Sequence, residues 1–190
     1  MDAATVLVTG LGLSAAAGLN AYIPLLIAGL LVRFDVVSFG GSFDALGSTP
    51  ALVIVTALLL IEIFADKIPA VDSVNDAIQT FIRPASGALL AAAAASDVGE
   101  QWASALALVL GLVTAAGVHA TKATVRPVVN VSTAGVGAPV VSTVEDGVSV
   151  GLSLAALLAP LLALIALIAM AIGAALALRR VFSRRRTGSA

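Results

Sequence analysis

The chain has no cysteine, one histidine, one tryptophan and one tyrosine in 190 residues, and only 11% of it is charged. Without cysteine there are no disulfides, thiolate metal ligands or cysteine nucleophiles. The lone histidine forms no multi-histidine cluster, and no HExxH helix, Ser/His/Asp spacing or phosphate-cradling glycine loop can be found. The expectation is a protein that is not an enzyme and needs no cofactor; whether it binds a metal is left open. Net charge is -1, which does not favour nucleic acid as a partner.

What is present is apolar. Hydrophobic residues make up 60% of the chain and mean hydropathy is +1.11, far from the roughly 45–50% apolar usage of soluble domains. Apolar runs cover residues 4–32, 51–65, 84–95, 102–120, 128–144 and 148–178. A bilayer core needs about 20 helical residues, so the first and last runs are long enough to tilt or break, with Pro24 and Pro160 as the places. The third and fifth runs are short. The reading is an all-α, polytopic transmembrane helical bundle of about six spans over residues 1–178, with a basic cytoplasmic tail at 179–190.

Charge placement supports six crossings, because cytoplasmic loops collect Lys and Arg. With the N-terminus inside, Lys67, Arg83, Lys122, Arg126 and the arginines of "RRVFSRRR" (179–186) fall on the cytoplasmic side, and only Arg33 lies outside. Asp35, Asp44, Asp97, Glu100, Glu145 and Asp146 then occupy outer loops. This predicts a multi-pass protein of the inner (plasma) membrane with both termini cytoplasmic. The bilayer is its first partner, and the terminal arginines attract anionic lipids. An oligomer or a pseudo-symmetric bundle is expected.

Two stretches resemble each other: "ALVIVTALLLIEIFADK" (51–67) leads to "IRP" (82–84), and "LALVLGLVTAAGVHATK" (106–122) leads to "VRP" (125–127). Paired short or interrupted segments at matching repeat positions point to a transporter's binding site. In the fifth run, Asn130, Ser132, Thr133, Gly135, Gly137 and Pro139 leave little surface for lipid. Either that run lines a water-filled path or its small residues pack helices closely. "AGLNAYIP" (17–24), with Asn20, echoes it.

Carboxylates inside an apolar helix are functional candidates because a charge costs about 2.5–3.5 kcal/mol at the helix centre. Glu62 and Asp66 are four residues apart, so they share a helix face. Lys67, Arg83, Lys122 and Arg126 offer opposite charge at the same level, with His119 one turn before Lys122. Three roles compete: an ion or proton site, a gate, and a structural ion-pair cluster. Glu145 and Asp146 are read as an outer mouth that concentrates cations. Residues 70–81 carry apolar residues at helical spacing and are expected to lie along the inner interface as an amphipathic helix.

"ADKIPAVDSVNDAIQTFIRPASGALLAA", "HATKATVRPVVNVSTAGVGAPVV" and "STVEDGVS" resemble the integral membrane family catalogued as domain of unknown function 4126. That resemblance implies a small bacterial-type membrane protein and no particular substrate or reaction. "EIFADK" is more weakly similar to the Glu-x-Gly-Asp-Lys of cation and proton exchangers, departing from it by one added residue and the missing glycine. The expected function is a transporter or channel for an ion or small polar solute, coupled through the carboxylate pair. The alternatives are a non-transporting scaffold or assembly protein and a protein that handles lipid headgroups.

Overall fold

The computed structural model describes residues 2–66, 68–98 and 101–187. Lys67 and Glu100 lie outside the described residues, and so do the side chains of Asp72, Asp97 and the arginines at 180 and 184–186. Seven α-helices carry the described chain: α1 Ala3–Leu19, α2 Tyr22–Arg33, α3 Thr49–Ala65, α4 Pro69–Ala94, α5 Gln101–Ser132, α6 Gly137–Leu158 and α7 Pro160–Thr187. Short 3-10 turns at Gly41–Gly47 and Ser96–Val98 complete it.

Residues Trp102–Ser132 and Gly137–Leu158 are long and apolar enough to cross a membrane, and a third crossing is supplied if Gly41–Gly47 and α3, bent by 60°, act as one. The outside of the bundle agrees with a lipid surround. Val53, Ile54, Leu60, Ile61 and Phe64 are exposed on α3. The first half of α4 is amphipathic as expected but inverted: Val74, Ile78 and Phe81 face outward while Gln79 and Arg83 are buried. A helix in water would do the opposite. It also does not end at the interface, because α4 runs on through Pro84 to Ala94.

At the centre stands α1, made of small residues. Gly10, Gly12, Leu13, Ser14, Ala15, Ala16, Ala17 and Gly18 are all buried, which lets neighbouring backbones come close. Hydroxyls then tie it in. Ser14 Oγ donates to the Gly87 carbonyl of α4 at 2.8 Å, Thr9 Oγ1 to Ala156 O of α6 at 3.0 Å, and Ser149 Oγ to Ala16 O at 3.0 Å. The Thr5 amide caps the start of α1 on Asp2, and this bond holds the Asp2 carboxyl below its ordinary range.

Three expectations need correction. The first apolar run breaks at Asn20, not at Pro24. Asn20 Oδ1 accepts from the Tyr22 and Ile23 amides at 3.0 and 3.2 Å and so starts a new helix running back. Pro24 falls in the first turn of α2, where no backbone bond is lost. Replacing Asn20 with alanine is expected to cost about 0.5–2 kcal/mol, seen as a lower melting temperature in detergent. By contrast, Pro160 does open a helix, after Ala159 leaves helical geometry with φ -149° and ψ 69°.

Second, the fifth run is no span. α5 continues through Pro127 to Ser132, and "STAGVGAP" is the turn into α6. Ala134 and Gly135 take left-handed φ of 51° and 84°, and Thr133 Oγ1 accepts the Gly137 amide at 3.0 Å. Ser132, Thr133 and Val136 are exposed, so this segment lines no internal path. The two repeat copies consequently fold differently, as separate helices α3 and α4 in one and as a single helix α5 in the other. Arg83-Pro84 and Arg126-Pro127 both sit within helices and start none, because packed neighbours tolerate the backbone groups that proline frees.

Third, the helices alternate in direction. Ala3 and Trp102 line one cavity at one end, while Leu19 meets Lys122 at the other. α1, α3, α5 and α7 point toward that second end; α2, α4 and α6 point away. The first turn of α1 and the last turns of α7 thus lie at opposite ends of the bundle, where both termini were expected on one side. The extra reversal at Asn20 is the cause.

Candidate functional site

Four helices bring their ionisable residues to the end of the bundle where α1 stops. Glu62 lies in the last turn of α3, and Asp66 caps its C-terminus. α4 supplies Asn75, Asp76, Gln79, Thr80 and Arg83 along one face. α5 contributes His119, Lys122 and Arg126, and α6 contributes Glu145 and Asp146.

Burial is nearly complete. Arg83 is 0% exposed, Glu62 1%, Asp66 2%, His119 4%, Lys122 5% and Arg126 4%. Arg83 Nη2 donates to Glu62 Oε1 at 2.8 Å and lies 3.8 Å from Asp66 Oδ2. Its Nη1 is 3.7 Å from Asp76 Oδ1. Asp66 is the hub: Asn75 Nδ2 donates to it at 2.8 Å, Lys122 at 3.3 Å and Arg126 at 3.2 Å. Three cations beside it offset both its burial and its unfavourable place at a helix C-terminus.

Glu145 receives Arg126 at 2.7 Å and Lys122 at 3.1 Å. Asp146 accepts from Asn20 Nδ2 at 2.9 Å. These two were expected at an outer mouth, on the side of the membrane away from Lys122 and Arg126. Direct contact overturns that placement. The reason is the α5–α6 hairpin, whose turn at 133–136 returns Glu145 to the level of Arg126. Acidic residues contribute little to membrane orientation, so their sorting by side was a weak guide.

His119 has a defined tautomer. Arg83 Nη1 approaches Nδ1 at 3.0 Å, and guanidinium only donates, so Nδ1 is the bare nitrogen. Nε2 then carries the hydrogen and donates to Thr80 Oγ1 at 3.1 Å, whose own hydrogen goes to Asp76 O. The imidazole is neutral and fully used in holding Arg83.

Among the described residues, Glu62 Oε2, Asp76 Oδ1, Gln79 Oε1, Ser142 Oγ and Arg83 Nε are buried with no hydrogen-bond partner. Gln79 is buried one turn before Arg83 on the same face of α4.

A cleft borders the cluster. Of about 630 Å³, it lies between α1, α5 and α7, is walled by Leu11, Ala15, Val118 and Leu167, and ends on Lys122 and Glu145. Among the described residues, no group of three or more His, Asp or Glu side chains is arranged to hold a metal ion.

Of the residues singled out in the sequence, Glu62, Asp66, Arg83, His119, Lys122, Arg126, Glu145, Asp146 and Asn20 come together. Asn130, Ser132 and Thr133 do not, since they belong to the α5–α6 turn, where Ser132 and Thr133 bond Val129 O. Gln79, Asn75 and Thr80 were missed. Their signal was present: 75, 76, 79, 80 and 83 form a polar stripe opposite the apolar one of the same helix.

The sequence profile described as Domain of unknown function (DUF4126) matches residues 7–180. The chain belongs to this family. No curated protein and no solved structure gives a significant match. Within this DUF4126 chain, the matched region holds every residue of the ionic cluster.

Proposed function

We propose that this protein is a transporter for an ion or small polar solute in the plasma membrane, coupled to a cation or proton through Glu62. One observation carries the reading. Among the described residues, the ion pairs join four carboxylates (Glu62, Asp66, Asp76, Glu145) to three cations (Arg83, Lys122, Arg126), with Asp146 attached through Asn20. A purely structural lock is stable when its charges balance and its atoms are satisfied. Among the described residues the carboxylates outnumber the cations, and Glu62 Oε2 has no partner.

The cluster end faces the cytoplasm in this proposal. Arg179 and the arginines after it follow α7 toward that end, whereas Arg33, Asp35 and Asp44 lie at the other. Proteoliposomes enclosing a pH indicator and challenged with mono- and divalent cations test the reading. Wild type is expected to carry flux and Glu62→Gln to lose it while still reconstituting. Silence for every ion would remove the transport reading and favour a scaffold.

The 630 Å³ cleft favours a second reading, the handling of a lipid headgroup, because its walls are apolar and its floor is charged. Lipid co-purification that depends on Lys122 and Glu145, in the absence of flux, would select it.

A further inference from the structure

The two carboxylates that share a face of α3 differ in a way that assigns them different work. Asp66 receives Asn75, Lys122 and Arg126, with Arg83 close by, so all its capacity is used by donors and cations. Glu62 is more deeply buried, yet receives one donor, at Oε1, and leaves Oε2 bare. Gln79, one turn before Arg83 on α4, also keeps a bare, buried Oε1. A buried carboxylate oxygen with no hydrogen on or near it is an incomplete arrangement.

We propose that Glu62 is a proton-binding site, taking up one proton at its bare Oε2, while Asp66 stays ionised as the anchor of Lys122 and Arg126. The inference rests on the transport reading and names its coupling ion. A proton suits the site better than a metal cation. The Arg83 guanidinium, 2.8 Å from Oε1, repels a cation, and no metal-holding group of His, Asp and Glu side chains exists among the described residues. A single hydrogen converts a buried acceptor into a donor with no added volume.

The balance is simple. Carboxylate plus H⁺ gives carboxylic acid, and the cluster's negative charge falls by one. Around Glu62 stand Asp66 on its own helix, Asp76, Gln79 and Arg83 on α4, His119, Lys122 and Arg126 on α5, Glu145 on α6 and Tyr22 on α2. Once Glu62 is neutral, Arg83 keeps its charge and loses its closest anion. Asp66 at 3.8 Å and Asp76 at 3.7 Å are the next within reach. Protonation thereby loosens the Arg83–Glu62 tie between α4 and α3 and leaves Arg83 to share Asp66 and Asp76.

Infrared difference spectroscopy of the reconstituted full chain across a pH titration reads this directly. A carbonyl band of a protonated carboxylic acid is expected in wild type, Asp66→Asn and Glu145→Gln, and its loss is expected in Glu62→Gln. Persistence of the band in Glu62→Gln, or no titrating carboxylic acid in wild type, overturns the proposal. If Glu62→Gln fails to fold, wild type labelled with carboxyl-¹³C glutamate decides. A shifted band supports the proposal, and a band that moves only with labelled aspartate overturns it. Flux without this band would keep transport and discard Glu62 as proton carrier; the band without flux would keep the proton site and discard transport.

Discussion

Replacing Arg83 with methionine is expected to destabilise the fold by about 3–5 kcal/mol, the usual cost of stripping one partner from a buried ion pair. The side chain is fully buried, and it alone connects Glu62, Asp76 and His119. Its loss leaves Glu62, 1% exposed, without a hydrogen-bond donor. Unfolding in mixed detergent micelles should show the loss, with Glu62→Gln added to the same variant recovering part of it. Arg83→Lys should recover less than charge alone suggests. Nη1 and Nη2 serve different partners, and an ammonium is one point rather than a fork. If Arg83→Met is as stable as wild type, the cluster does not hold α3 to α4.

Substituting Gly111 with alanine is expected to be the most damaging one-carbon change in the molecule, at about 1–3 kcal/mol for overpacking. A Cβ there would lie 2.5 Å from Ala91 Cβ and 2.5 Å from the Gly87 carbonyl oxygen, with Ser14 Oγ at 2.8 Å. Backbone and a short alanine cannot swing aside, so α4 and α5 must separate, and the Ser14 bond to Gly87 stretches with them. Gly117, two turns along the same helix, is the control. A Cβ there meets nothing within 4 Å, so Gly117→Ala should be neutral or stabilise by up to about 1 kcal/mol through helix propensity. Paired melting curves for the two variants in one detergent check both statements.

The membrane character and the ionisable residues were readable because a carboxylate inside "LLLIEIF" contradicts its surroundings. Their assembly was less so. Lys122, Arg126 and Glu62 were grouped by depth, and depth is what apolar run length conveys. Glu145 was misplaced because it was put on the far side with the other acids, whereas its place is fixed by a hairpin. That hairpin is built from "STAGVGAP", whose small residues suit a packed crossing as well as a tight turn. Only the left-handed backbone at Ala134 and Gly135 decides between them. Likewise, proline after Arg83 and Arg126 reads as a helix start, and packing against neighbours overrides it. The unsatisfied oxygens of Glu62 and Gln79 had no trace in the sequence at all, since they depend on which donors fail to reach them.

The burial of α1 bears on how the protein is made. Every helix that sheathes α1 follows it in the chain, so α1 leaves the ribosome and meets the lipid before the carbonyls of Gly87 and Ala156 have been synthesised. Ser14 has a stand-in acceptor one turn back, at Gly10 O, 2.7 Å away, and can wait. Thr9 donates to Ala156 O, and the small-residue surface around it offers lipid little to grip. Burial of α1 is therefore completed only after α6 has been made, so its packing is a late and collective step of assembly.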